Sequence, residues 1–469
     1  MNKIVILLLS LLIFYTTLLS AQLNGKIKLY FTNPINTGVS SGVNAVYLNN
    51  SMDDTLVAYI NRAKYSLDIA VYNYQQSTGM ANIATAINNA AANGVIVRWI
   101  YDSNQSNSGM SALNANMHTL GSPASNSTYG IMHNKFMLVD ANSSNINDPL
   151  VWTGSTNWTK THFNSNVNNT LIIQDKNLVQ AFLTEFNEMW GSTGVTPNTT
   201  NSKFGPNKTD NTPHLFSIGG NLVELYFSPS DQTNTHVLDV INSASTDLYF
   251  GMLSFSLSNN ADSIINKKNN GIYVAGIIDQ TSQIYFPYSS LNTSLGANFK
   301  VYSQFTSVYH NKILIVDPCN SSDPSVVTGS YNWTSPASTQ NDENALIIHD
   351  DTVANIFYQS FYQNFTDLGG TLLPCITTGL NENSKMTSNE SFIIYPNPFS
   401  TQTIFQTNSL LTNATLSIYN CFGQMVKERT HISGQTIVIS RDNLASGLYF
   451  VQLKQDNKEI LTKKIIIVD

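Results

Sequence analysis

The chain has 469 residues, which is enough for two or three domains that each bury a core of their own. Its hydrophobic content of 42% is typical of a globular protein and excludes a disordered chain. Only 11% of the residues are charged and the formal net charge is −7, so the composition provides no general attraction to polyanions.

The first residues have the pattern of a signal peptide. Lys3 supplies one positive charge, an apolar run extends from Ile4 to Leu19, and Ser20-Ala21-Gln22 supplies small residues before a polar start. The apolar run is shorter than the roughly 20 residues that a membrane-spanning helix needs. We therefore expect residues 1–21 to be a signal peptide and the mature protein to be exported.

The next part of the chain repeats itself with a period of about 180 residues, the size of a duplicated domain. Each copy has two amphipathic segments that alternate with Val- and Ile-rich runs, which predicts helices at 56–63 and 81–92, and again at 237–244 and 261–269. The second helix of each copy ends at Asn-Gly, because Gly adopts the left-handed conformation cheaply. The pattern predicts two α/β lobes with largely buried sheets, at 22–191 and 212–368, joined by a linker at 192–211.

The C-terminal part changes to short alternating strands, after a second linker predicted at 369–390. Residues 391–469 are expected to form a small β-sandwich. The segment contains Tyr395-Pro396-Asn397-Pro398-Phe399, then Gly447-Leu448-Tyr449-Phe450-Val451, then a final Lys463-Lys464-Ile465-Ile466-Ile467 run. These ordered motifs resemble the C-terminal sorting domain of the type IX secretion system of Bacteroidetes. The resemblance implies that this machinery is a partner and that the protein passes through the periplasm to be released or anchored at the outer-membrane surface.

Two segments of the chain carry the same chemically active residues. His133-Asn134-Lys135 is followed by Asp140 and then by Gly154-Ser155-Thr156-Asn157. His310-Asn311-Lys312 is followed by Asp317 and then by Gly329-Ser330-Tyr331-Asn332. The distance from His to Gly is 21 residues in the first segment and 19 in the second. Two complete matches at nearly equal spacing are not a chance occurrence.

The residue types in these segments suit the cleavage of a phosphodiester. On a strand, His and Lys two residues apart point to the same face. Ammonium and amide groups stabilise the charge that builds on the non-bridging oxygens, while one imidazole attacks phosphorus and a second protonates the leaving oxygen. Each lobe supplies one imidazole, so both lobes must face a single site.

The segments resemble the phospholipase D superfamily, whose signature is H-x-K-x4-D followed by G-S-x-N in each half. The resemblance implies two lobes related by a pseudo-twofold axis around one active site, within a monomer, and a phosphohistidine intermediate without metal or cofactor. It implies that His133 is the nucleophile and His310 the general acid. Phosphate binding then falls to Lys135, Lys312, Asn157 and Asn332, assisted by Ser155 and Ser330, while Asp140 and Asp317 are structural.

The two halves differ at one position. The family has an acidic residue after the G-S-x-N element, which orients the histidine of the opposite half. The second half keeps it as Glu343, whereas the first half has Asn168. Glu343 is therefore expected to serve His133, and Asn168 is expected to face His310.

The sequence leaves the substrate open. Export and an acidic chain favour a phospholipid, and the G-S-x-N-W-T form of the motif resembles endonuclease-like members of the superfamily. An inactive surface adhesin is a third interpretation, although both motif sets are complete. The three cysteines, Cys319, Cys375 and Cys421, and the remaining histidines form no metal-ligand pattern.

Overall fold

A computed structural model describes residues 25–319, 323–372, 392–395, 397–420, 423–455 and 458–468. The predicted signal peptide and most of the second linker lie outside these residues, as do Cys375 and Cys421. Cys319 is disulfide-bonded. The chain forms two units, residues 1–378 and 379–469. Among the described residues, no helix combines the length and the apolar character that crossing a membrane requires.

The first lobe, as far as the described residues go, is a seven-stranded mixed sheet with four helices. The strands are β1 (Ile27–Phe31), β2 (Ser66–Val71), β3 (Ile96–Tyr101), β4 (His118–Gly121), β5 (Lys135–Val139), β6 (Leu150–Gly154) and β7 (Asn169–Ile173). The helices are α1 (Met52–Ile60), α2 (Ile83–Ala92), α3 (Lys160–Asn164) and α4 (Lys176–Trp190). The strand order is β1-β7-β6-β5-β2-β3-β4.

Helices cover both faces of this sheet. Leu67 and Ile69 of β2 belong to a core that α1 and α2 complete, whereas Ala70 belongs to a second core shared with α4. Because alternate residues of a strand point to opposite faces, a strand buried on both sides reads as a continuous apolar run. This arrangement buries the strands that lead into the two motifs.

The second lobe repeats the first and adds one edge strand. Its strands are β8 (Leu215–Ile218), β9 (Asn221–Ser228), β10 (Asp247–Met252), β11 (Tyr273–Asp279), β12 (Phe299–Tyr302), β13 (Lys312–Val316), β14 (Ser325–Gly329) and β15 (Glu343–His349). Its helices are α5 (Thr233–Ser243), α6 (Ser258–Asn269), α7 (Phe286–Leu295), α8 (Ser335–Thr339) and α9 (Asp351–Asp367). The order β12-β11-β10-β13-β14-β15-β9-β8 matches that of the first lobe. The prediction of two α/β lobes is confirmed.

The helix ends were predicted better than the helix starts. Helices α2 and α6 end at Ala92 and Asn269, and Gly94 and Gly271 follow with φ of +90° each. Helices α1 and α5 begin earlier than predicted, at Met52 and Thr233. Polar residues, Asp53 and Asp54 in α1 and Asn234 and Thr235 in α5, occupy most of these first turns, and the prediction began at the apolar residues that follow them.

The segment at 192–211 packs into both lobes. The buried ammonium of Lys208 contacts the Glu185 carboxylate of α4 and lies 3.2 Å from Asp342 Oδ1 in the second lobe. The Gly205 amide donates to the same Asp342 oxygen at 2.7 Å. Gly205 has φ of +52°, and a Cβ there would come within 2.6 Å of the Gln340 carbonyl oxygen, so the site requires glycine. These contacts hold the stretch that precedes Glu343.

The C-terminal unit is one network of antiparallel strands. They are β16 (Phe392–Tyr395), β17 (Gln402–Asn420), β18 (Met425–Ser440), β19 (Gly447–Gln455) and β20 (Lys458–Ile467). The register between β17 and β18 shifts between Gln406 and Leu416, which marks bulges that bend the sheet. The sheet curls around a core that includes Phe405, Ile418 and Val451.

Candidate active site

Short backbone bridges join the lobes beside each motif histidine. The His133 amide donates to the Asp342 carbonyl at 2.9 Å, and the Asp342 amide donates to the Ile131 carbonyl at 3.0 Å. On the other side of the pseudo-twofold axis, the His310 amide donates to the Val167 carbonyl at 3.0 Å. His133 is therefore paired with Asp342, the residue before Glu343, and His310 is paired with Val167, the residue before Asn168. This register places Glu343 and Asn168 next to the imidazoles.

The imidazole of His133 is held by a carboxylate. His133 Nδ1 lies 2.7 Å from Glu343 Oε2, and both side chains are buried. Burial alone would raise the pKa of Glu343, but the neighbouring His133 and Lys135 outweigh it and lower that pKa. Burial lowers the pKa of His133 to about 4, against the opposing effect of Glu343. At neutral pH the ring is uncharged and donates its Nδ1 proton to Glu343, which leaves the lone pair on Nε2.

The imidazole of His310 is held by an amide instead. His310 Nδ1 lies 2.9 Å from Asn168 Oδ1. Burial, then the Lys312 ammonium, then His162 hold the pKa of His310 well below its usual value. His133 and Lys135 of the opposite lobe lower it further, so the two motifs share one electrostatic environment.

Both motif lysines are buried at the starts of β5 and β13. Lys135 Nζ donates to the His133 carbonyl at 2.6 Å, and Lys312 Nζ donates to the His310 carbonyl at 2.7 Å. Burial lowers the pKa of Lys135 to about 7 and that of Lys312 well below its usual value. Burial disfavours the ammonium form of both lysines more than the nearby Glu343 carboxylate favours it, so a bound anion would raise both pKa values and be stabilised in turn.

The motif serines point at the residues that hold the histidines. Ser330 Oγ donates to Glu343 Oε2 at 2.7 Å and accepts from the Asn344 amide at 3.0 Å. Ser155 Oγ donates to Asn168 Oδ1 at 3.0 Å and likewise accepts from a backbone amide. Their protons are therefore engaged by positions 343 and 168, and the contact of both serines with phosphate stays a prediction.

The motif asparagines keep unused hydrogen-bonding capacity. Among the described residues, the buried side-chain oxygens of Asn157 and Asn332 have no hydrogen-bond partner. A buried polar group without a partner is uncommon and calls for an explanation. The atoms without a partner are acceptors, whereas Asn157 Nδ2 lies 3.4 Å from His162 Nε2.

The motif aspartates lie away from the histidines. Asp140 accepts from the backbone amides of Lys64, Tyr65 and Ser66, at 2.7–3.1 Å, and itself has φ of +53°. Asp317 accepts in the same way from the amides at 245–247 and has φ of +50°. Each aspartate ties the end of its motif strand to the turn that begins the neighbouring strand.

A set of cross-lobe amide contacts was not anticipated from the sequence. Asn344 Nδ2 donates to Asn134 Oδ1 at 3.0 Å, and Asn169 Nδ2 donates to Asn311 Oδ1 at 2.8 Å. A comparison of the two repeats could have indicated these contacts, because the middle residue of each H-N-K segment is asparagine and so is the residue after Glu343 and after Asn168. The contacts are reciprocal, as an interface with twofold symmetry requires.

Two carboxylates also hold the motif loops. Asp102 Oδ2 accepts from the Met132 amide at 2.8 Å, and Asp279 Oδ2 accepts from the Tyr309 amide at 2.9 Å. Each aspartate closes a repeated strand and contacts the residue before a motif histidine. Alignment of the two repeats would have revealed both.

One group of possible metal ligands occurs among the described residues, at Asp210, His214 and Asp231, whose ligand atoms lie within 4.8 Å of one another. Its histidine is already engaged, with Nδ1 at 2.9 Å from the Leu225 carbonyl and Nε2 at 3.1 Å from Asp210. None of the three belongs to the motifs.

Comparisons with known proteins agree with this geometry. The family described as "Cardiolipin synthase, PLD-like domain" matches residues 56–190 and 237–365, together more than half of the chain. The family described as "Secretion system C-terminal sorting domain" matches residues 393–468.

Individual relatives cover one part of the chain each. A phospholipase D of Rickettsia bellii is 26% identical over 149 residues, which are 32% of this chain and 71% of the relative. A mitochondrial cardiolipin hydrolase of Drosophila melanogaster is 32% identical over 149 residues, 29% of this chain and 57% of the relative.

A solved structure shares the fold over both lobes. The phosphatidylserine synthase of Haemophilus influenzae Rd KW20 aligns with a TM-score of 0.53 at 13% identity, covering 73% of this chain and 88% of the synthase. Two copies of the family domain, facing each other across the motif histidines, account for the repeat. The chain belongs to the phospholipase D-like family of phosphodiesterases and carries a type IX secretion C-terminal sorting domain.

Proposed function

We propose that the protein is an exported enzyme that hydrolyses a phospholipid through a phosphohistidine on His133. The observation that carries the proposal is the unequal support of the two histidines, His133 by the carboxylate of Glu343 and His310 by the amide of Asn168. A carboxylate on Nδ1 stabilises the positive charge that an attacking imidazole acquires. The neutral amide suits the ring that must give its proton away.

The reaction runs in two displacements. His310 enters the reaction as the imidazolium, a form that the bound phosphodiester anion favours by raising the pKa of the ring. His133 Nε2 attacks phosphorus, a P–N bond forms, and the bond to the leaving oxygen breaks as that oxygen takes the Nε2 proton of His310. The neutral His310 Nε2 then removes a proton from water, whose oxygen attacks phosphorus and breaks the P–N bond. The products are a phosphomonoester and an alcohol, with His133 returned to the imidazole and His310 to the imidazolium.

The surrounding groups stabilise the charge on the phosphoryl oxygens. Each motif lysine donates one N–H to a backbone carbonyl, and Lys312 Nζ also lies 3.5 Å from His310 Nδ1, which leaves N–H groups of both lysines for the ligand. The Nδ2 groups of Asn157 and Asn332 add neutral donors. The serines orient Glu343 and Asn168, and the motif aspartates fix the strand ends. Because both halves of the site lie in one chain, a monomer is expected to be active.

A phospholipid is favoured by the apolar rim of the second lobe, defined here as Ile284, Tyr285, Phe286 and Phe305. Their exposed fractions are 81%, 37%, 74% and 39%. Lys300 is the single charged residue between Gln280 and Tyr309. In the first lobe, the matching loops at 102–117 and 122–132, which are fully described, contain no large hydrophobic residue among the exposed ones.

A short series of hydrogen bonds and ring contacts connects this apolar rim with the second motif. The Leu253 amide donates to the Asn311 carbonyl at 3.0 Å, and Ser282, two residues before Ile284, donates to the Leu253 carbonyl at 2.8 Å. The ring of Tyr302 lies 4.9 Å from that of Phe305 and 5.6 Å from that of Tyr309, the neighbour of His310. Exposed aromatic and aliphatic side chains beside a site fit a lipid surface, whereas a nucleic-acid groove is lined with Lys and Arg. The lipid names of the relatives support the same choice.

The test is a substrate panel with the purified protein. Vesicles of phosphatidylcholine or cardiolipin are assayed beside single-stranded DNA and RNA. We expect phosphatidate and free head group from a lipid. Cleavage of nucleic acid with no lipid product would replace the proposal with an endonuclease, and no cleavage of any diester would favour the inactive adhesin.

A further inference from the structure

A third histidine, His162, lies in the site without an assigned role. Its ring centroid is 4.3 Å from that of His310, and the two rings are nearly perpendicular, at 88°. His162 comes from the first lobe and His310 from the second, so the contact crosses the lobe interface. The His162 side chain is half-buried.

The second lobe has no counterpart of this ring. His162 is the third residue of α3, where the Thr159 side chain caps the helix, and Ala337 is the third residue of α8, capped by Thr334. The neighbours of the motif histidines also differ. The Tyr72 ring lies 4.8 Å from that of His133, and the residue that matches Tyr72 in the second lobe is Leu253. His310 thus lacks both the carboxylate and the tyrosine of its counterpart, and His162 is the ring beside it.

The amide of Asn168 is oriented by His162. Asn168 Nδ2 donates to the backbone carbonyls of His162, at 3.0 Å, and of Asn166, at 3.4 Å, and lies 3.5 Å from His162 Nδ1. The two backbone acceptors do not depend on the side chain at position 162, so the ring contributes the Nδ1 contact alone. With its N–H2 group turned that way, Asn168 presents Oδ1 to His310 and to Ser155. The opposite orientation would place N–H2 against His310 Nδ1 and force the proton of the neutral ring onto Nε2.

This choice of tautomer decides what His310 can do. When Nδ1 carries the proton of the neutral ring, Nε2 has a lone pair that can accept a proton from water. After it accepts that proton, the ring is an imidazolium and Nε2 can donate the proton to the leaving group. With Nε2 permanently protonated in the neutral ring, neither transfer works. Burial, then Lys135 and Lys312, lower the pKa of His162 to about 3, so this ring is neutral and has one acceptor nitrogen. Two amide groups face the ring, Asn168 Nδ2 at 3.5 Å from Nδ1 and Asn157 Nδ2 at 3.4 Å from Nε2, and the proposal assigns the acceptor to Nδ1.

We propose that His162 is a positioning residue for His310, which acts through the Asn168 amide and through ring contact and takes the place of the carboxylate that the other lobe provides. The inference rests on the proposed phosphodiesterase mechanism. It assigns His162 and Asn168 to one coupled unit, so a change at one position should be corrected by a change at the other.

The second lobe shows which substitution should compensate for the loss of His162. In the second lobe, Asn341 Oδ1 accepts from the Ile131 amide while its Nδ2 donates to Glu343 Oε1 at 3.1 Å. In the first lobe, Asn166 Oδ1 accepts from the Val308 amide at 3.1 Å, in the same orientation. A glutamate at position 168 would therefore meet a donor already in place. The double variant His162→Ala/Asn168→Glu converts the first lobe to the pattern of the second.

The experiment compares the pH dependence of kcat/KM for two diesters. One is bis(p-nitrophenyl) phosphate, whose leaving group needs no proton, and the other is short-chain phosphatidylcholine, or a thymidine dinucleotide if only nucleic acid is cleaved. His162→Ala should lose about 10–100-fold on the second diester, a part of what a general acid contributes, and less than about 3-fold on the first. His162→Ala/Asn168→Glu should recover most of the loss, with its basic limb at higher pH because a carboxylate raises the pKa of His310.

Matched variants and a spectroscopic readout separate positioning from packing. Lys160→Ala, an exposed change in the same helix, should have no effect on either diester. His162→Phe keeps a ring against His310 but removes both ring nitrogens, and with them the contacts to Asn168 Nδ2 and Asn157 Nδ2, and should lose alkyl-diester activity without loss of thermal stability. In protein with ¹⁵N-labelled histidine, the His310 signals should report the Nδ1–H tautomer in the wild type and a larger Nε2–H fraction in His162→Phe, because one of the three contacts of Asn168 Nδ2 is lost.

Two results would overturn the inference. One is an equal loss on both diesters in His162→Ala with no recovery in the double variant. The other is an unchanged His310 tautomer in His162→Phe. A wild-type protein inactive on every diester would instead refute the proposed function, and the tautomer measurement would still test the contact.

Discussion

His133 Nδ1 lies 2.7 Å from Glu343 Oε2, although 210 residues separate them in the chain. The matching pair on the other side of the interface is His310 Nδ1 and Asn168 Oδ1, at 2.9 Å. The two pairs have the same backbone geometry, but the first contains a carboxylate and the second a neutral amide. The site is therefore symmetric in shape and asymmetric in electrostatics, as the proposed division into a nucleophile and a general acid requires.

The first prediction concerns Glu343→Gln. The carboxylate opposes the effect of burial on the pKa of His133, so its removal should lower that pKa further below about 4. The acid limb of the kcat/KM profile, which reports protonation of the nucleophile, should then move to lower pH. Loss of charge stabilisation should reduce kcat about 10²–10³-fold, as for other preorganised electrostatic groups. Because the nucleophile is affected, the loss should be similar for good and poor leaving groups, and a loss confined to poor ones would contradict the assignment.

The second prediction concerns the apolar rim. Ile284→Ser/Phe286→Ser should reduce binding to phosphatidylcholine vesicles, measured by sedimentation, by about 10-fold or more, since each buried apolar side chain contributes about 1.5–3 kcal/mol. Hydrolysis of bis(p-nitrophenyl) phosphate in solution should be unchanged. Leu215→Ser is the matched control, because Leu215 is exposed but lies in β8 at the edge of the sheet opposite β12. Equal vesicle binding by the wild type and the double variant would exclude this surface as the lipid contact.

The third prediction concerns metal. The proposed reaction uses two imidazoles, two ammoniums and two amides of the chain itself, so turnover should persist in excess EDTA. The measurement is the rate on bis(p-nitrophenyl) phosphate before and after dialysis against chelator. Loss of turnover that a divalent cation restores would show that the two-histidine mechanism is incomplete.

The fourth prediction concerns the C-terminal unit. Deletion of residues 391–469 should leave kcat and KM of the purified enzyme within about 2-fold, because the motifs and their partners all lie in the unit at 1–378. In the native host, the truncated protein should accumulate in the periplasm. Normal surface display or release of the truncated protein would argue against a sorting role for this domain.

The sequence predicted the parts of the site that repeat. Two copies of H-N-K and G-S-x-N fixed the number of lobes, the shared interface and the identity of the histidines and lysines. The contrast between Glu343 and Asn168 also followed from the repeat, since only a comparison of the halves exposes it.

The sequence did not predict how neighbouring side chains use their hydrogen bonds. The sequence predicts that Ser155 and Ser330 contact phosphate, but it does not predict that each hydroxyl donates to the residue 13 positions later. The sequence places His162 near the second element of the first motif but predicts no role for it, because its contact with His310 depends on how the two lobes dock. Such contacts between distant segments have no local pattern in the chain.

The central claim is that His133 carries the covalent intermediate, and the direct measurement is acid-quenched mass spectrometry of His310→Ala after brief exposure to bis(p-nitrophenyl) phosphate. Without the ring of His310 the intermediate forms from this activated diester, but water is not deprotonated to cleave it. We predict a phosphoryl adduct on the peptide that contains His133, and none in His133→Ala. An adduct on His310 in His133→Ala, with none on His133 in His310→Ala, would reverse the two roles and contradict the account.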